Sequence, residues 1–405
     1  VILNMLPEGE MRVRIKLVPP EDGERAIQLI TYCFPEFNEA RERVRELVDR
    51  YLVQDAILGC YNESGILDAM LFIVPFDIYI YGSPLGMGGI AVASSMPEGR
   101  HGGKMAELLR SSLQVMKDRK QFVSMLGPFS YEFYRKYGWE LSFERLNYTI
   151  PVDHLSKFKK KVGSIRPFRD NDLEIMDAIY SEYARRHNCC AVRDKFLWTE
   201  FVLDDPYFRS YPRYTYLWTD NDNNPQGYIV YTIKRDRMTI HEMIYLNQEA
   251  KEGLLWFIFA HQSQVESVYW STSSDERLYL DLANPRVRME LSPGMMFRVV
   301  DVKNALLSRN YDKDIEAKFS ISISDPDAEW NNKGFTIEVR GGEIDIKECD
   351  TAEIFCSIQT FSQVFTGYVT PEEALSHNKL TGDIGAIKEM NKIFYKSYTF
   401  NNNSF

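Results

Sequence analysis

A strand–turn–helix pattern occurs twice in this chain, about 150 residues apart, and it restricts the possible folds more than any other feature. Residues 15–18 alternate apolar and charged side chains, a proline pair follows, and Asp22 is placed to cap a helix that carries an apolar face. Residues 165–168 and Asp172 repeat the arrangement in the same register. The repetition predicts a tandem duplication of one α/β unit. The alternative is chance, since strand–turn–helix openings are common.

The rest of each unit has the pattern of a sheet followed by a helix. In the first unit, strand-like runs at 56–61, 69–74 and 78–81, broken at Pro75, predict an antiparallel meander. A further apolar run leads through a glycine-containing loop into a helix that begins near Met105. The second unit repeats this order, with strand-like runs at 215–218, 228–233 and 238–246 and a helical stretch at 249–262.

The last part of the chain changes character. Short alternating strands are followed by residues 352–365, which we predict to be helical. A chain of 405 residues is too long for one ordinary core, so we expect three domains, of which the last is α+β. Their expected bounds are 1–150, 151–293 and 294–405.

Composition argues against several classes of protein. Lys and Arg number 48 and Asp and Glu 58, so the net charge of −10 argues against binding to nucleic acid or to an anionic membrane and is compatible with amine-bearing partners. No apolar run approaches the roughly 20 residues that span a bilayer, and the first ten residues lack the pattern of a secretory signal, so we expect a cytoplasmic protein. The six cysteines and six histidines show no metal-ligand spacing, and no metal is expected.

The loop at residues 100–105 lies between a predicted strand and an amphipathic helix. Peptide N–H groups at such a helix start, with the helix dipole behind them, bind phosphate oxygens. The spacing is neither that of a P-loop nor that of a dinucleotide-binding loop. Taken alone, the glycine pair is equally typical of a plain turn.

Three segments together resemble the GNAT superfamily of acetyl-coenzyme A dependent N-acetyltransferases. They are Gly88-Gly89-Ile90, the loop that begins at Pro97, and Tyr134-Arg135-Lys136-Tyr137-Gly138-Trp139-Glu140. Arg100, Gly103 and Met105 match the family's Arg/Gln-x-x-Gly-x-Gly/Ala pyrophosphate loop, with Met105 in place of the last small residue.

Over nearly its whole length the chain resembles one branch of that superfamily, the Eis-like (enhanced intracellular survival) acetyltransferases. The resemblance implies α/β and α+β architecture: tandem GNAT-fold domains, each a mixed sheet flanked by helices, followed by a sterol-carrier-like α+β domain. Between Ser164 and Pro293 the only glycines are Gly227 and Gly253, so the second unit lacks a pyrophosphate loop. This agrees with a second domain that does not bind coenzyme.

The resemblance also implies a set of coenzyme contacts. In the family, the strand before the loop separates from its neighbour at a bulge, where backbone N–H groups reach the thioester carbonyl. His101 replaces a usual arginine and is expected beside phosphate. The expected coenzyme-binding residues are Ala93, Ser94, Ser95, Arg100, His101, Gly102, Gly103, Lys104, Met105 and Ser130.

Two catalytic residues follow from the same resemblance. Tyr134 is the expected general acid, because a phenol with an ordinary pKa of about 10 stays protonated at neutral pH yet can donate to a departing thiolate; Tyr131 and Tyr137 are nearby alternatives. In Eis-like proteins the terminal α-carboxylate, here on Phe405, returns to the active site. Its ordinary pKa of about 3.5 suits it to orient the amine or to act through water. Residues 401–404 are otherwise typical of a disordered tail.

The expected function is transfer of an acetyl group from acetyl-CoA to a primary amine, by direct attack on the thioester. A polyamine, an aminoglycoside and a lysine side chain all remain open as acceptors, although Ser404 differs from the acidic residue of members that acetylate aminoglycosides. The resemblance also implies a homo-oligomer, commonly a hexamer. The competing hypothesis is a lipid or sterol carrier or a scaffold, with residues 319–323 and 354–365 lining an apolar tunnel.

Overall fold

The computed structural model describes residues 14–97, 103–205, 211–403 and 405. Within them the chain forms two seven-stranded sheets and one five-stranded sheet, each covered by helices. The predicted combination of α/β and α+β units is confirmed.

The first sheet contains one parallel pair, and its other neighbouring strands are antiparallel. Its order is β1-β2-β3-β4-β5-β14-β6, for β1 Arg14–Leu17, β2 Ile57–Tyr61, β3 Leu67–Ile80, β4 Ser83–Ser95, β5 Val123–Leu126, β6 Glu140–Leu141 and β14 Met296–Val299. The accompanying helices are α1 Gly23–Cys33, α2 Arg41–Val53, α3 Lys104–Asp118 and α4 Tyr131–Arg135.

The second sheet has the same design. Its order is β13-β7-β12-β11-β10-β9-β8, for β7 Glu144–Pro151, β8 Ser164–Pro167, β9 Tyr214–Thr219, β10 Pro225–Lys234, β11 Arg237–Tyr245, β12 Ser267–Ser273 and β13 Arg288–Pro293. Its helices are α5 Leu173–Ala184, α6 Lys195–Leu197 and α7 Gln248–Phe259.

The two sheets show the same strand order when both are numbered from their first edge. The parallel pair is β4 with β5 in one and β11 with β12 in the other, at the same place. The duplication predicted from the repeated opening is therefore confirmed. The two sheets also exchange strands along the chain: β7, which follows β6 of the first sheet, joins the second sheet, and β14, which follows β13 of the second sheet, joins the first. The bounds at 150 and 293 remain a prediction.

Proline does not break the second strand of the meander, so that part of the sequence prediction is wrong. The Ile73 N–H donates to the Ala56 carbonyl at 2.7 Å, and the Pro75 nitrogen, two residues on, points to the same edge beyond the end of β2. No ladder hydrogen bond is lost there. Farther along the same edge, the Tyr79 N–H donates to the Cys190 carbonyl at 2.8 Å, so the second unit covers the rest of β3.

Both predicted helices begin as expected, but neither aspartate caps its helix with a side-chain hydrogen bond. The Asp22 carboxylate accepts from the Tyr61 hydroxyl at 2.7 Å. The Asp172 carboxylate accepts from two nitrogens of Arg166 at 2.6 and 2.8 Å. The Asp22 carboxylate thus has a tertiary partner, whereas Asp172 also accepts from the Arg169 N–H at 2.7 Å and bonds only to residues just before its helix.

The third sheet corrects the prediction of one helix over 352–365. Ile354 and Cys356 are buried, Phe355 between them is 50% exposed, and the segment pairs in parallel with the strand that contains Ile321. That alternation is the period of a strand. The sheet order is β17-β16-β15-β18-β19, for β15 Ala317–Ser324, β16 Gly334–Arg340, β17 Glu343–Cys349, β18 Ile354–Ser357 and β19 Leu380–Gly382, with α8 Val302–Leu307, α9 Ile358–Phe365, α10 Pro371–Ser376 and α11 Ile384–Ile393.

The third sheet and the first share one apolar core. Ile321, Ile354 and Phe361 belong to the same buried cluster as Met125 and Phe297 of the first sheet. Ile321, Ile354 and Phe361 are among the residues that the carrier hypothesis places around an apolar tunnel. Their packing favours a core role for them.

Candidate active site

A bulge in β4 creates the cleft in the first unit. Pairing of β4 with β5 ends at Ile90 and Leu126, and β4 then runs on to Ser95. Opposite β3 the register shifts, so that Val92 and Ala93 together face one residue. Val92 has a φ of +50°, a conformation that is strained for a β-branched side chain. The separation of β4 from its neighbour that the resemblance implies is therefore present. It leaves one edge of β4 open.

The cleft beside this bulge has a volume of about 320 Å³. It brings together two residues singled out in the sequence, Tyr134 and Phe405, although they lie 271 positions apart (405 − 134). The lining residues are Phe34, Ile90, Ala91, Val92, Ala93, Gly127, Phe129, Tyr134, Met295 and Phe405.

Tyr134 lies on α4, whose first turn is capped by the Ser130 hydroxyl, which accepts from the Phe133 N–H at 3.3 Å. The Tyr134 ring contacts Phe129 and Phe133 edge-to-face, with centroids 5.3 and 5.2 Å away. Burial raises the pKa of Tyr134 to about 12. The phenol therefore holds its proton throughout the neutral and mildly alkaline range. Ser130, expected from the sequence as a coenzyme contact, is a helix cap here and is not among the residues that line the cleft.

The two alternative tyrosines are engaged elsewhere. The Tyr131 hydroxyl donates to the Gly294 carbonyl at 2.6 Å. The Tyr137 ring packs against Phe133 and lies 5.5 Å from the Arg110 guanidinium carbon. Neither lines the cleft, so Tyr134 is the one of the three that does.

The Phe405 ring lies directly on the backbone of β4. A Cβ atom at Gly89 would come within 2.6 Å of the Phe405 ring, so a glycine is required for this close approach. The ring also packs against Phe76, with centroids 5.3 Å apart. Gly89 belongs to one of the segments that carry the GNAT resemblance, and the Phe405 ring packs directly against it.

The structure describes half of the expected phosphate loop. Gly103 has a φ of +72°, which favours glycine, and immediately precedes α3. The Lys104 ammonium pairs with the Asp68 carboxylate at 2.7 Å, and the Met105 side chain packs against the core cluster beneath α3. Arg100, His101 and Gly102 lie outside the described residues.

The remaining predicted coenzyme contacts lie along the open end of β4. Ala93 lines the cleft. The Ser94 hydroxyl is buried and donates to the Val92 carbonyl at 3.0 Å, across the bulge. The Ser95 hydroxyl donates to the Met96 carbonyl at 3.3 Å. Both hydroxyls therefore have partners within the strand end.

A small apolar pocket adjoins the cleft on the side of α1 and α2. Its volume is about 30 Å³, and it shares Ala91, Val92 and Phe405 with the cleft. No charged side chain stands among the described residues that line it. They are Ile30, Phe37, Val44, Leu47, Val48, Tyr51, Phe72, Val74, Ala91, Val92, Phe201 and Phe405.

Sequence reasoning missed how the tail before Phe405 is held. Asn401 and Asn403 are 0% and 1% exposed, which excludes a disordered tail for them. Arg193 and Glu242 of the second unit bind this segment. The available signal is Glu242 itself, a carboxylate inside the predicted strand 238–246, whose other residues are mostly apolar, since a buried charge requires a partner.

Two further findings concern metals and membranes. The described ranges hold no grouping of three or more His, Cys, Asp or Glu side chains placed to bind a metal ion. No helix in the described part of the chain is long and apolar enough to cross a bilayer. The predicted absence of a metal remains a prediction.

Comparison with known proteins identifies all three units. An acetyltransferase (GNAT) domain matches residues 14–142, a second acetyltransferase (GNAT) domain matches 189–299, and a sterol carrier protein domain matches 302–400. Among curated proteins, none matches the chain.

Several solved structures share the whole fold. A probable N-acyltransferase from Enterococcus faecalis V583 is 25% identical, with a TM-score of 0.87 and coverage of 97% of this chain and 100% of its own. A GCN5-related N-acetyltransferase from Anabaena variabilis is 22% identical at a TM-score of 0.84, with the same coverage. Eis1 from Mycobacterium abscessus is 18% identical at 0.76, again covering 97% and 100%.

Fold and domain matches together define a protein of the acyltransferase class, built on the GNAT fold. The chain has two GNAT domains followed by a sterol carrier protein domain and shares the fold of Eis1, so the domain organisation that the Eis-like resemblance implies is confirmed.

Proposed function

We propose that this protein is an N-acetyltransferase that moves the acetyl group of acetyl-CoA to a primary amine. The observation that carries the proposal is the cleft at the β4 bulge, where Tyr134 and Phe405 meet beside an open strand edge. Acetyl-CoA supplies the activated acyl group as a thioester. The GNAT domain match over 14–142 supports placing that chemistry in the first unit.

The proposed reaction gives Tyr134 and Phe405 separate roles. The amine nitrogen attacks the thioester carbonyl, a C–N bond forms, and the C–S bond breaks. Tyr134, kept protonated by burial, donates to the leaving thiolate. The Phe405 carboxylate orients the amine or takes its proton through water, because its ordinary pKa of about 3.5 makes it a weak base toward an ammonium.

The proposed coenzyme site combines the open edge of β4 with the start of α3. The edge from Ala93 to Ser95 pairs with the extended pantetheine arm, and the small side chains allow a close approach. The loop from Arg100 to Met105 binds the pyrophosphate through N–H groups at the start of a helix of 15 residues. Lys104 neutralises Asp68 and so removes a negative charge from the vicinity of the phosphates.

The apolar pocket beside Phe405 bears on which amine the protein accepts. The pocket beside Phe405 is apolar and has a volume of only about 30 Å³, so it offers a second ammonium group neither room nor a partner, and burial of an unpaired charge costs several kcal/mol. This supports an amine that carries one charge next to a short alkyl segment. Among the acceptors open from the sequence, it favours a lysine-like side chain over a polyamine or an aminoglycoside.

The test is release of coenzyme A on mixing the protein with acetyl-CoA and a panel of amines, with mass spectrometry of the acetylated product. We expect stoichiometric amide and free thiol. Silence across the panel, together with retention of lipid through purification, would instead support the carrier hypothesis. The homo-oligomer implied by the resemblance, commonly a hexamer, stays a prediction that light scattering measures directly.

A further inference from the structure

The C-terminal segment 401–403 is bound by side chains that are distant in sequence. The Asn401 amide donates to the Cys189 carbonyl at 3.0 Å, and its oxygen accepts from the Asn403 N–H at 2.6 Å. The Arg145 guanidinium donates to the Asn401 carbonyl at 3.0 Å. Before this segment, Phe400 is 4% exposed in a core cluster of the second unit. The tail is therefore built into the protein.

A buried ion pair in the second GNAT unit provides the next contacts. Arg193 donates through two nitrogens to Glu242 at 2.7 and 2.6 Å, and the two side chains are 0% and 2% exposed. A third nitrogen of Arg193, Nε, donates to the Asn403 side-chain oxygen at 2.8 Å. Glu242 also accepts from the Asn402 amide at 2.9 Å and from the Tyr228 hydroxyl at 2.6 Å. The pair is thus satisfied only with the two asparagines in place.

The position of this pair corresponds to the active-site bulge of the first unit. Parallel pairing of β11 with β12 ends at Ile240, and the register with β10 then shifts around His241. In the first unit, the β4 bulge likewise follows the end of the parallel pair. The His241 carbonyl accepts from the Asn402 amide at 3.0 Å. The bulge is present in both units, but in the second it contacts the tail.

We propose that the second GNAT unit is an anchoring domain whose Arg193–Glu242 pair and β11 bulge bind Asn402 and Asn403 and thereby position Phe405 in the first unit's cleft. Two residues span at most about 7 Å, so fixing Asn403 restricts Phe405 to a small volume. The inference rests on the proposed function only where it concerns turnover, because the anchoring contacts themselves do not involve catalysis. Arg193, Glu242 and the asparagines are positioning residues.

The test uses substitutions on the tail side, so that the ion pair is kept. Asn402→Leu and Asn403→Leu preserve side-chain bulk and remove the contacts to Glu242 and Arg193. Asn221→Leu, in the exposed turn before β10, is the matched control. The readout is the rate at which a carboxypeptidase releases Phe405 from the full chain, with the thermal midpoint measured alongside. Turnover and the KM for acetyl-CoA are measured separately.

We expect the carboxypeptidase to release Phe405 at least about 10-fold faster from the two tail variants than from the wild type and the control. A factor of that size corresponds to the loss of one hydrogen bond to a charged group. We expect kcat to fall by a similar factor, with KM for acetyl-CoA within about twofold. Unchanged release would overturn the inference even if turnover fell. Faster release with unchanged turnover would leave the anchor standing and contradict the proposed role of Phe405. Because release of Phe405 needs no catalysis, its rate tests the anchor even if the protein has no acetyltransferase activity.

Discussion

The Phe405 ring packs against the backbone at Gly89 so closely that a side chain at this position would collide with it. Because a Cβ there would lie 2.6 Å from the ring, we expect Gly89→Ala to displace Phe405 and lower kcat by at least about 10-fold, with acetyl-CoA affinity kept. The measurement is steady-state kinetics together with coenzyme binding by calorimetry. The control is Gly23→Ala, where the new methyl meets only the flexible Leu52 side chain at 3.2 Å. Full activity of Gly89→Ala would contradict a role for Phe405 in this position.

The raised pKa of Tyr134 predicts how kcat depends on pH. Since burial raises the pKa of Tyr134 to about 12, the phenol keeps its proton as the pH rises, and we expect no alkaline loss of kcat below about pH 10. Tyr134→Phe should lower kcat by roughly 100-fold or more while leaving acetyl-CoA binding unchanged. Tyr137→Phe is the matched control, since that ring lies outside the cleft. A wild-type profile that falls near pH 8 would show that another group is the acid.

The C-terminal tail is the element on which the proposed mechanism depends most. Two glycines added after Phe405 remove its free carboxylate and place extra chain in a cleft of about 320 Å³. We expect kcat to fall by at least about 10-fold, with the thermal midpoint unchanged, because the anchoring contacts at 401–403 precede the addition. The same dipeptide inserted after Asp222, in an exposed turn, is the control. A fully active extended protein shows that the carboxylate has no role.

Elements with a strong local pattern were predictable, and their exceptions have physical causes. The helix after Met105 and the strands of the second unit lie where apolar periodicity placed them. Pro75 has the pattern of a strand break, yet its nitrogen faces an edge without a partner strand. Residues 354–357 are predicted as part of the helix that follows them but pair with β15, and that pairing is a long-range contact. Local pattern carries no information about which neighbour is available.

At the scale of the whole molecule, net charge and the apolar pocket point to different acceptors. The −10 of the sequence suggests cationic partners, whereas the pocket next to the cleft is apolar. We therefore expect butylamine to be acetylated with a kcat/KM at least about 10-fold higher than 1,4-diaminobutane, which has the same chain length and a second charge. Rates are compared at one pH and one ionic strength. Equal or higher efficiency with the diamine would show that carboxylates beyond the pocket decide the preference.

The candidate site was predictable in its residue types and not in its assembly. Tyr134, Gly89 and Gly103 belong to short motifs, because the backbone geometry and chemistry that they provide are local. The strain at Val92 and the buried asparagines have no such motif. Their role arises from the register between β3 and β4 and from hydrogen bonds to Arg193 and Glu242.

By itself, the sequence determined the tandem units, the glycine at the start of α3 and the tyrosine at the cleft, because periodicity, glycine spacing and motif are properties of neighbouring residues. Only the tertiary structure decided that β7 and β14 are exchanged between the sheets and that the tail is buried. Both outcomes depend on contacts between residues more than 100 positions apart, such as Arg193 with Asn403. Such contacts form where burial and hydrogen bonding offset the loss of chain entropy, a balance that no local pattern records.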